Sequence, residues 1–199
     1  SVGYSALKAN TTGSNSTAVG YTALLNNTYS GNTAVGSGAL YTNTGAYSNV
    51  AVGYKALYTN NANNNTAVGY LAAEKTTSGT QIVAMGSGTL QENTTGAYNT
   101  GIGYGCLAAN TTGGSNTAIG RQALDVNTTG NYNVALGAAS MGANTTASYN
   151  TACGYAALFY NTTGASNTAV GYQALRSCTS AGANTAIGTS AGEDITTAQ

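Results

Sequence analysis

The chain has 199 residues, of which 5% are charged, five basic and five acidic, with no His, no Trp, no Pro and one Phe. The cancelled charge offers no field that would gather nucleic acid or an anionic membrane surface. Without His the usual neutral-pH acid/base and the commonest metal ligand are missing, which excludes Ser-His-Asp and Cys-His nucleophile systems and Cys/His zinc sites. The expectation is a protein that is not an enzyme and needs neither metal nor cofactor. Thr (33), Gly (28) and Asn (24) supply 85 of the 199 residues, and Leu, Ile, Val and Phe together only 28. So few large apolar residues would suggest disorder, but disorder also calls for high net charge. A thin core repeated many times fits better. No run of about 18 apolar residues exists, so no membrane span is expected.

The repeat is explicit. One Gly recurs at Gly3, Gly20, Gly36, Gly53, Gly69, Gly86, Gly103, Gly120, Gly137, Gly154, Gly171 and Gly188, with nine intervals of 17 residues and two of 16. Such a fixed period marks a repeat architecture. The consensus is N-T-A-V-G-Y-x-A-L-x-x-N-T-T-G-x-x, and we number its positions from the Gly as zero. Seventeen residues cannot hold two helices and two turns, and Thr, Asn, Gly and Val are poor helix formers but Thr, Val and Tyr good strand formers.

In chain order, each coil is predicted to open with a strand at T-A-V (Thr17, Thr33, Thr66, Thr100, Thr117, Thr151, Thr168 and Thr185 at position −3, replaced by Val50, Val83 and Val134). Position −2 is Ala in ten of eleven complete repeats, with Gly101 the exception, so something approaches closely there. Position −1 is always apolar and is predicted to face inward. The Gly then supplies a bend or a positive φ. A second strand is predicted around A-L, and N-T-T-G reads as the closing turn, because Asn and Gly tolerate left-handed backbone and Asn caps its own chain. The two shorter intervals read as one-residue deletions in a turn. Stacking identical columns at about 4.8 Å makes a rod on the order of 55 Å long from twelve coils. Asn32, Asn49, Asn65, Asn99, Asn116, Asn133, Asn150, Asn167 and Asn184 at −4, and a second set at +7 (Asn10, Asn27, Asn43, Asn60, Asn93, Asn110, Asn127, Asn144, Asn161), then form structural amide ladders.

Position +1 is Tyr in seven of twelve repeats: Tyr4, Tyr21, Tyr54, Tyr70, Tyr104, Tyr155 and Tyr172. These are candidates for glycan stacking or inter-chain contact. Ser37, Ser87, Arg121, Ala138 and Thr189 interrupt the column, a range that predicts only partial burial. Cys106, Cys153 and Cys178 form no C-x-x-C pair and are expected to be free thiols acting as small apolar residues. Glu193-Asp194 is the one adjacent acid pair, read as a solvated loop in preference to a Ca²⁺ site. N-T-T turns create glycosylation sequons, at Asn10, Asn93, Asn110, Asn127, Asn144 and Asn161, with others at Asn15, Asn26 and Asn64. Turn chemistry alone accounts for the N-T-T set.

On N-T-A-V-G-Y, and on N-T-A-V-G-Y-Q-A-L over Asn167–Leu175, the chain resembles the head repeats of trimeric autotransporter adhesins and the repeats of bacteriophage tail-fibre proteins and related bacterial surface proteins. The resemblance spans Ser1 to about Gly188. It implies a left-handed parallel β-roll, three chains side by side, with Val19, Val35, Val52, Val68, Met85, Ile102, Ile119, Leu136, Cys153, Val170 and Ile187 lining the roll. The 17-residue period is longer than the adhesin repeat, and Thr stands at −3 where that family has Val.

The expectation from sequence is therefore an all-β parallel solenoid of about twelve coils, one repeat array over residues 1–199, forming a homotrimer. Because the chain opens in mid-repeat, it is expected to be a segment of a longer fibrous protein. Its expected role is structural and adhesive, in an extracellular fibre on a cell surface or virion, with a cell-surface glycan or protein receptor as partner. The alternative is an ice-binding or other flat-surface solenoid, which wants matched hydroxyl ranks on one strand face.

Overall fold

The computed structural model describes residues 1–197. Each T-A-V triplet or its equivalent is a three-residue strand: β1 Thr17–Val19, β2 Thr33–Val35, β3 Val50–Val52, β4 Thr66–Val68, β5 Val83–Met85, β6 Thr100–Ile102, β7 Thr117–Ile119, β8 Val134–Leu136, β9 Thr151–Cys153, β10 Thr168–Val170 and β11 Thr185–Ile187. They form one sheet in strict chain order. Every pair is parallel and in column register, from Thr17↔Thr33 and Ala18↔Ala34 to Thr168↔Thr185. Val2 bridges to Val19 ahead of β1. Parallel neighbours in sequence must be joined by a return path. Here each return closes one 17-residue coil, and the molecule is a parallel β-solenoid.

The 16-residue intervals leave the register intact, as Thr17↔Thr33 and Val50↔Thr66 show. The missing residue is taken from the turn between the two Asn columns. There Asn27 and Asn32, and Asn60 and Asn65, are five positions apart, against six for Asn43 and Asn49. The tightened turn joins the columns directly: Asn32 Nδ2 donates to Asn27 Oδ1 at 3.0 Å, and Asn65 Nδ2 to Asn60 Oδ1 at 2.9 Å.

The orientation of the strands corrects one expectation. All eleven show only the central residue buried. Ala18, Ala34 and Ala51 are fully buried, whereas Val19, Met85 and Ile119 at −1 are 39%, 42% and 40% exposed. The −1 column therefore does not line the roll; it faces outward beside the −3 column. The cause is the narrowness of the coil. Leu at +4 and the small residue at +3 fill the lumen, as in Ala23 with Leu24 and Ala123 with Leu124. Only a methyl fits opposite them. At Gly101 even that is absent, and Thr89 takes the space: a Cβ on Gly101 would lie 2.7 Å from Thr89 Cγ2.

The predicted second strand is also corrected. The segment around A-L is a run of tight turns with positive φ at +2 and +4, as at Thr22 and Leu24, Gln122 and Leu124, Gln173 and Leu175. This alternation turns the N–H groups at +2 and +4 to opposite neighbours. Thr22 N donates back to Tyr4 O at 2.9 Å and Leu24 N forward to Ala39 O at 3.0 Å. Left-handed backbone disfavours a Leu by roughly 1–2 kcal/mol, and burial of its side chain offsets this by roughly 1.5–3 kcal/mol. The Gly at position zero is different in kind. Gly120 has φ of 132°, and a Cβ there would lie 2.6 Å from the Gly137 carbonyl carbon. Both backbone angle and coil-to-coil stacking demand glycine.

Candidate functional site

Three faces of the solenoid carry the residues singled out from sequence, and each is built differently. The corner between the sheet and the closing turn holds the two Asn columns, almost wholly buried. In the −4 column the Oδ1 of each Asn accepts the backbone N–H of its successor, as from Asn116 to Asn133 at 2.9 Å and Asn150 to Asn167 at 2.8 Å. Its Nδ2 donates to a turn carbonyl of the next coil, as Asn116 does to Gly130 O at 2.8 Å. In the +7 column the amides bond one another, Asn110 to Asn93 and Asn127 to Asn110 each at 2.8 Å. Asn32, Asn65 and Asn99 repeat the −4 pattern. Asn49 accepts from the Asn65 N–H but turns its Nδ2 back to Asn32 Oδ1, and Asn184 closes the column at the C-terminal end. Thr76 and Ile82 replace an Asn in both columns of the same coil, and both are buried. At Cys178 the +7 column ends, which leaves the Asn161 Oδ1 without a partner. Five of the six +7 sequons, at Asn93, Asn110, Asn127, Asn144 and Asn161, lie on side chains buried in these ladders, so the folded chain does not offer them for modification; Asn10 in the first coil is only half-buried.

A third ladder went unread in the sequence. At +8 both the N–H and the hydroxyl of Thr donate to the next +8 carbonyl: Thr111 to Thr128 O, each at 3.0 Å. N-T-T-G reads as a turn from sequence, and the regular recurrence of its first Thr is the signal for this ladder.

The outward sheet face carries the −3 and −1 columns side by side. Neither column contains a charged residue over the eleven strands. It is half exposed and made of a Thr/Val rank beside a rank of Val, Ile, Leu, Met and Cys.

The Tyr column stands on a third face and is more exposed than the partial burial expected: Tyr54 is 43% exposed and Tyr4 72%. Where two Tyr are consecutive the rings stack: Tyr4 on Tyr21 at 5.4 Å, Tyr54 on Tyr70 and Tyr155 on Tyr172 each at 5.5 Å. Tyr104 has no aromatic neighbour in the next coil, where Arg121 stands. Two further stacks were not anticipated, Tyr41 on Tyr58 at 4.9 Å and Tyr132 on Tyr149 at 5.1 Å. Tyr41 and Tyr58 flank the +1 column and share a hollow with it.

Two pairs of charged groups meet across coils. Lys75 Nζ lies 2.7 Å from Glu92 Oε2, and the hydrogen bond to that carboxylate holds the Lys75 ammonium above its ordinary range. Lys55 Nζ lies 3.9 Å from Glu74 and 5.1 Å from the Tyr58 ring centre. Burial raises the Asp125 carboxyl. The three cysteines are free; Cys106 and Cys178 are buried, which pushes both thiols up, and Cys153 is half-buried. Glu193 and Asp194 are exposed, and among the described residues no group of three or more His, Cys, Asp or Glu is gathered for a metal. No helix among them is long and apolar enough to cross a membrane. Comparison with family models, characterised proteins and solved structures finds no match to this chain.

Proposed function

We propose that the chain is a structural and adhesive segment of an extracellular fibre, a tail fibre or surface adhesin, in which three copies pack through their outward sheet faces. The observation that carries this reading is the uncharged face of the −3 and −1 columns. It runs the length of the sheet, about 48 Å over ten coil rises, with half-exposed Ile, Val and Met along it. Only the −1 rank is continuously apolar, beside eight Thr and three Val at −3; a long uncharged face carrying such a rank marks an interaction surface. Thin repeats commonly bury such a face against a neighbour. This relocates the inter-chain contact from the Tyr column, which is left outside to meet a receptor. The ladders supply stiffness along the axis, so the segment holds its ends apart. Small-angle X-ray scattering tests the shape: a rod on the order of 55 Å long with the cross-section of three coils is expected, and the cross-section of one coil overturns the reading.

One observation favours a second reading, a binder of ice or another flat surface: the −3 hydroxyls and −1 methyls form parallel ranks on one flat face. Thermal hysteresis of the pure protein would establish it, and its absence removes it.

A further inference from the structure

Two breaks in the Tyr column share one form. At Gly36-Ser37-Gly38 and Gly86-Ser87-Gly88 the consensus Gly-Tyr-x loses the large +1 side chain and the +2 side chain together. Each break is one coil deep and has Tyr on both sides: Tyr21 and Tyr54 flank Ser37, and Tyr70 and Tyr104 flank Ser87. The hollow at Ser37 measures about 310 Å³; the one at Ser87, which runs on past Gly105 to Gln122 and Asp125 of the following coil, measures about 430 Å³. Consecutive rings of the column stack nearly parallel, within 16°, so their faces look along the rod. Two coil rises set the flanking rings about 9.6 Å apart. A ring placed midway lies about 4.8 Å from each, inside the range of about 4.5–7 Å for stacked ring pairs. Three of the four walls are braced from behind by another ring. Tyr21 rests on Tyr4, while Tyr54 and Tyr70 stack on each other as a partition between the two hollows. The other internal break, Arg121 with Ala138, spans two coils and is too wide for one ring.

We propose that these two slots each hold the pyranose ring of a neutral hexose, its C–H faces against two Tyr rings and its hydroxyls toward the Ser floor and the polar rim. This deepens the adhesive part of the reading above and rests on it for the supply of a glycan partner. The rim decides between ring types. The second slot is edged by Gln91, Gln122, Glu92 and Asp125. Gln91 donates to Glu74, Glu92 accepts from Lys75 and Gln122 accepts from Arg121, and each keeps spare donor or acceptor capacity. An aromatic side chain would fit the walls but offers that capacity and the Ser hydroxyl nothing, whereas hydroxyls around a sugar ring bond to them. A neutral sugar suits both slots, since Lys55 edges the first and carboxylates edge the second. Ser37 and Ser87 stand three coils apart, about 14 Å along the rod. One branched or extended glycan can therefore engage both, and repeated weak contacts multiply into useful affinity.

The test uses saturation-transfer NMR on the 199-residue chain with methyl β-glucoside and methyl β-galactoside. Transfer to the ring C–H protons is expected for at least one of them. Ser37→Tyr with Ser87→Tyr refills the column, and Tyr104-Gly105 shows that this chain already accommodates Tyr before Gly at that place. The double variant is expected to keep its far-ultraviolet spectrum and lose the transfer; Tyr104→Ala, which removes one wall, is expected to weaken binding to the second slot about tenfold. No transfer to either hexoside, or transfer undiminished in the refilled variant, overturns the proposal. So does binding of N-acetyltyrosinamide in place of the hexosides, which would make the occupant an aromatic side chain. A three-chain particle that binds no hexoside removes the slots alone, and a folded monomer removes the fibre reading alone.

Discussion

Single residues in this molecule are held by what recurs one coil away. Asn116 serves its two neighbours at once, accepting from the Asn133 N–H and donating to the Gly130 carbonyl. Asn116→Ala strands both groups in a buried place and is expected to cost about 2–4 kcal/mol, read as a lowered urea midpoint with an unchanged slope. The opposite change is available at Cys178. Asn there would donate to the free Asn161 Oδ1 and extend the +7 ladder. Cys178→Asn is expected to raise stability by about 1 kcal/mol, and a fall in the thermal midpoint would contradict the ladder account. The Asn columns were legible in the sequence because a polar residue kept at one phase of a 17-residue period needs a partner at that same phase. The left-handed Leu at +4 was not. Leu is not a residue that signals positive φ, and Gly at +2 (Gly38, Gly88, Gly105) and at +4 (Gly192) was the only hint.

At the scale of the strand, T-A-V misleads by the usual rule that the largest apolar residue points inward. The column that varies, Val, Ile, Met, Leu and Cys at −1, is the outward one, and the nearly invariant Ala marks the interior, where no larger group fits. Constancy of size was the better signal than hydrophobicity. The break at Gly101 with Thr89 shows volume conserved across two columns. The outward assignment has a direct consequence. Val19→Asp together with Ile119→Asp, six coils apart so that the new charges do not meet, alters residues 39% and 40% exposed. Surface changes of this kind leave a fold within about 0.5 kcal/mol each, so the far-ultraviolet spectrum and thermal midpoint of the single chain are expected to persist. The placement of charge on the packing face is expected to abolish association, checked by sedimentation velocity. Collapse of the fold would instead place these residues inside.

The whole molecule is a column of near-identical layers with little charge. The sparse charge follows from the stacking, because a like charge in every coil would meet itself at about 4.8 Å. Four of the ten charged residues pair across coils, Lys75 beside Glu92 and Lys55 beside Glu74. The absence of His leaves no side chain with an ordinary pKa between about 5 and 8. Stability is therefore expected to be flat from about pH 6 to 8. The two limbs have a common sign. Burial raises the Asp125 carboxyl and the Cys106 and Cys178 thiols, so the folded chain holds these protons more tightly than the unfolded one. The stability each contributes is present below the ordinary value of its group and lost as the pH rises through the raised one. For the thiols that loss begins as the pH passes the ordinary 9.0. Thermal midpoints across pH check this, and a transition centred near pH 7 would contradict it.

The claim on which the rest depends is that the outward Thr/Val and Val/Ile ranks are a packing face between three copies. Multi-angle light scattering of the purified chain measures it directly. The account predicts a particle of three chains that stays intact on dilution into the micromolar range. A stable, folded single chain at those concentrations would contradict it.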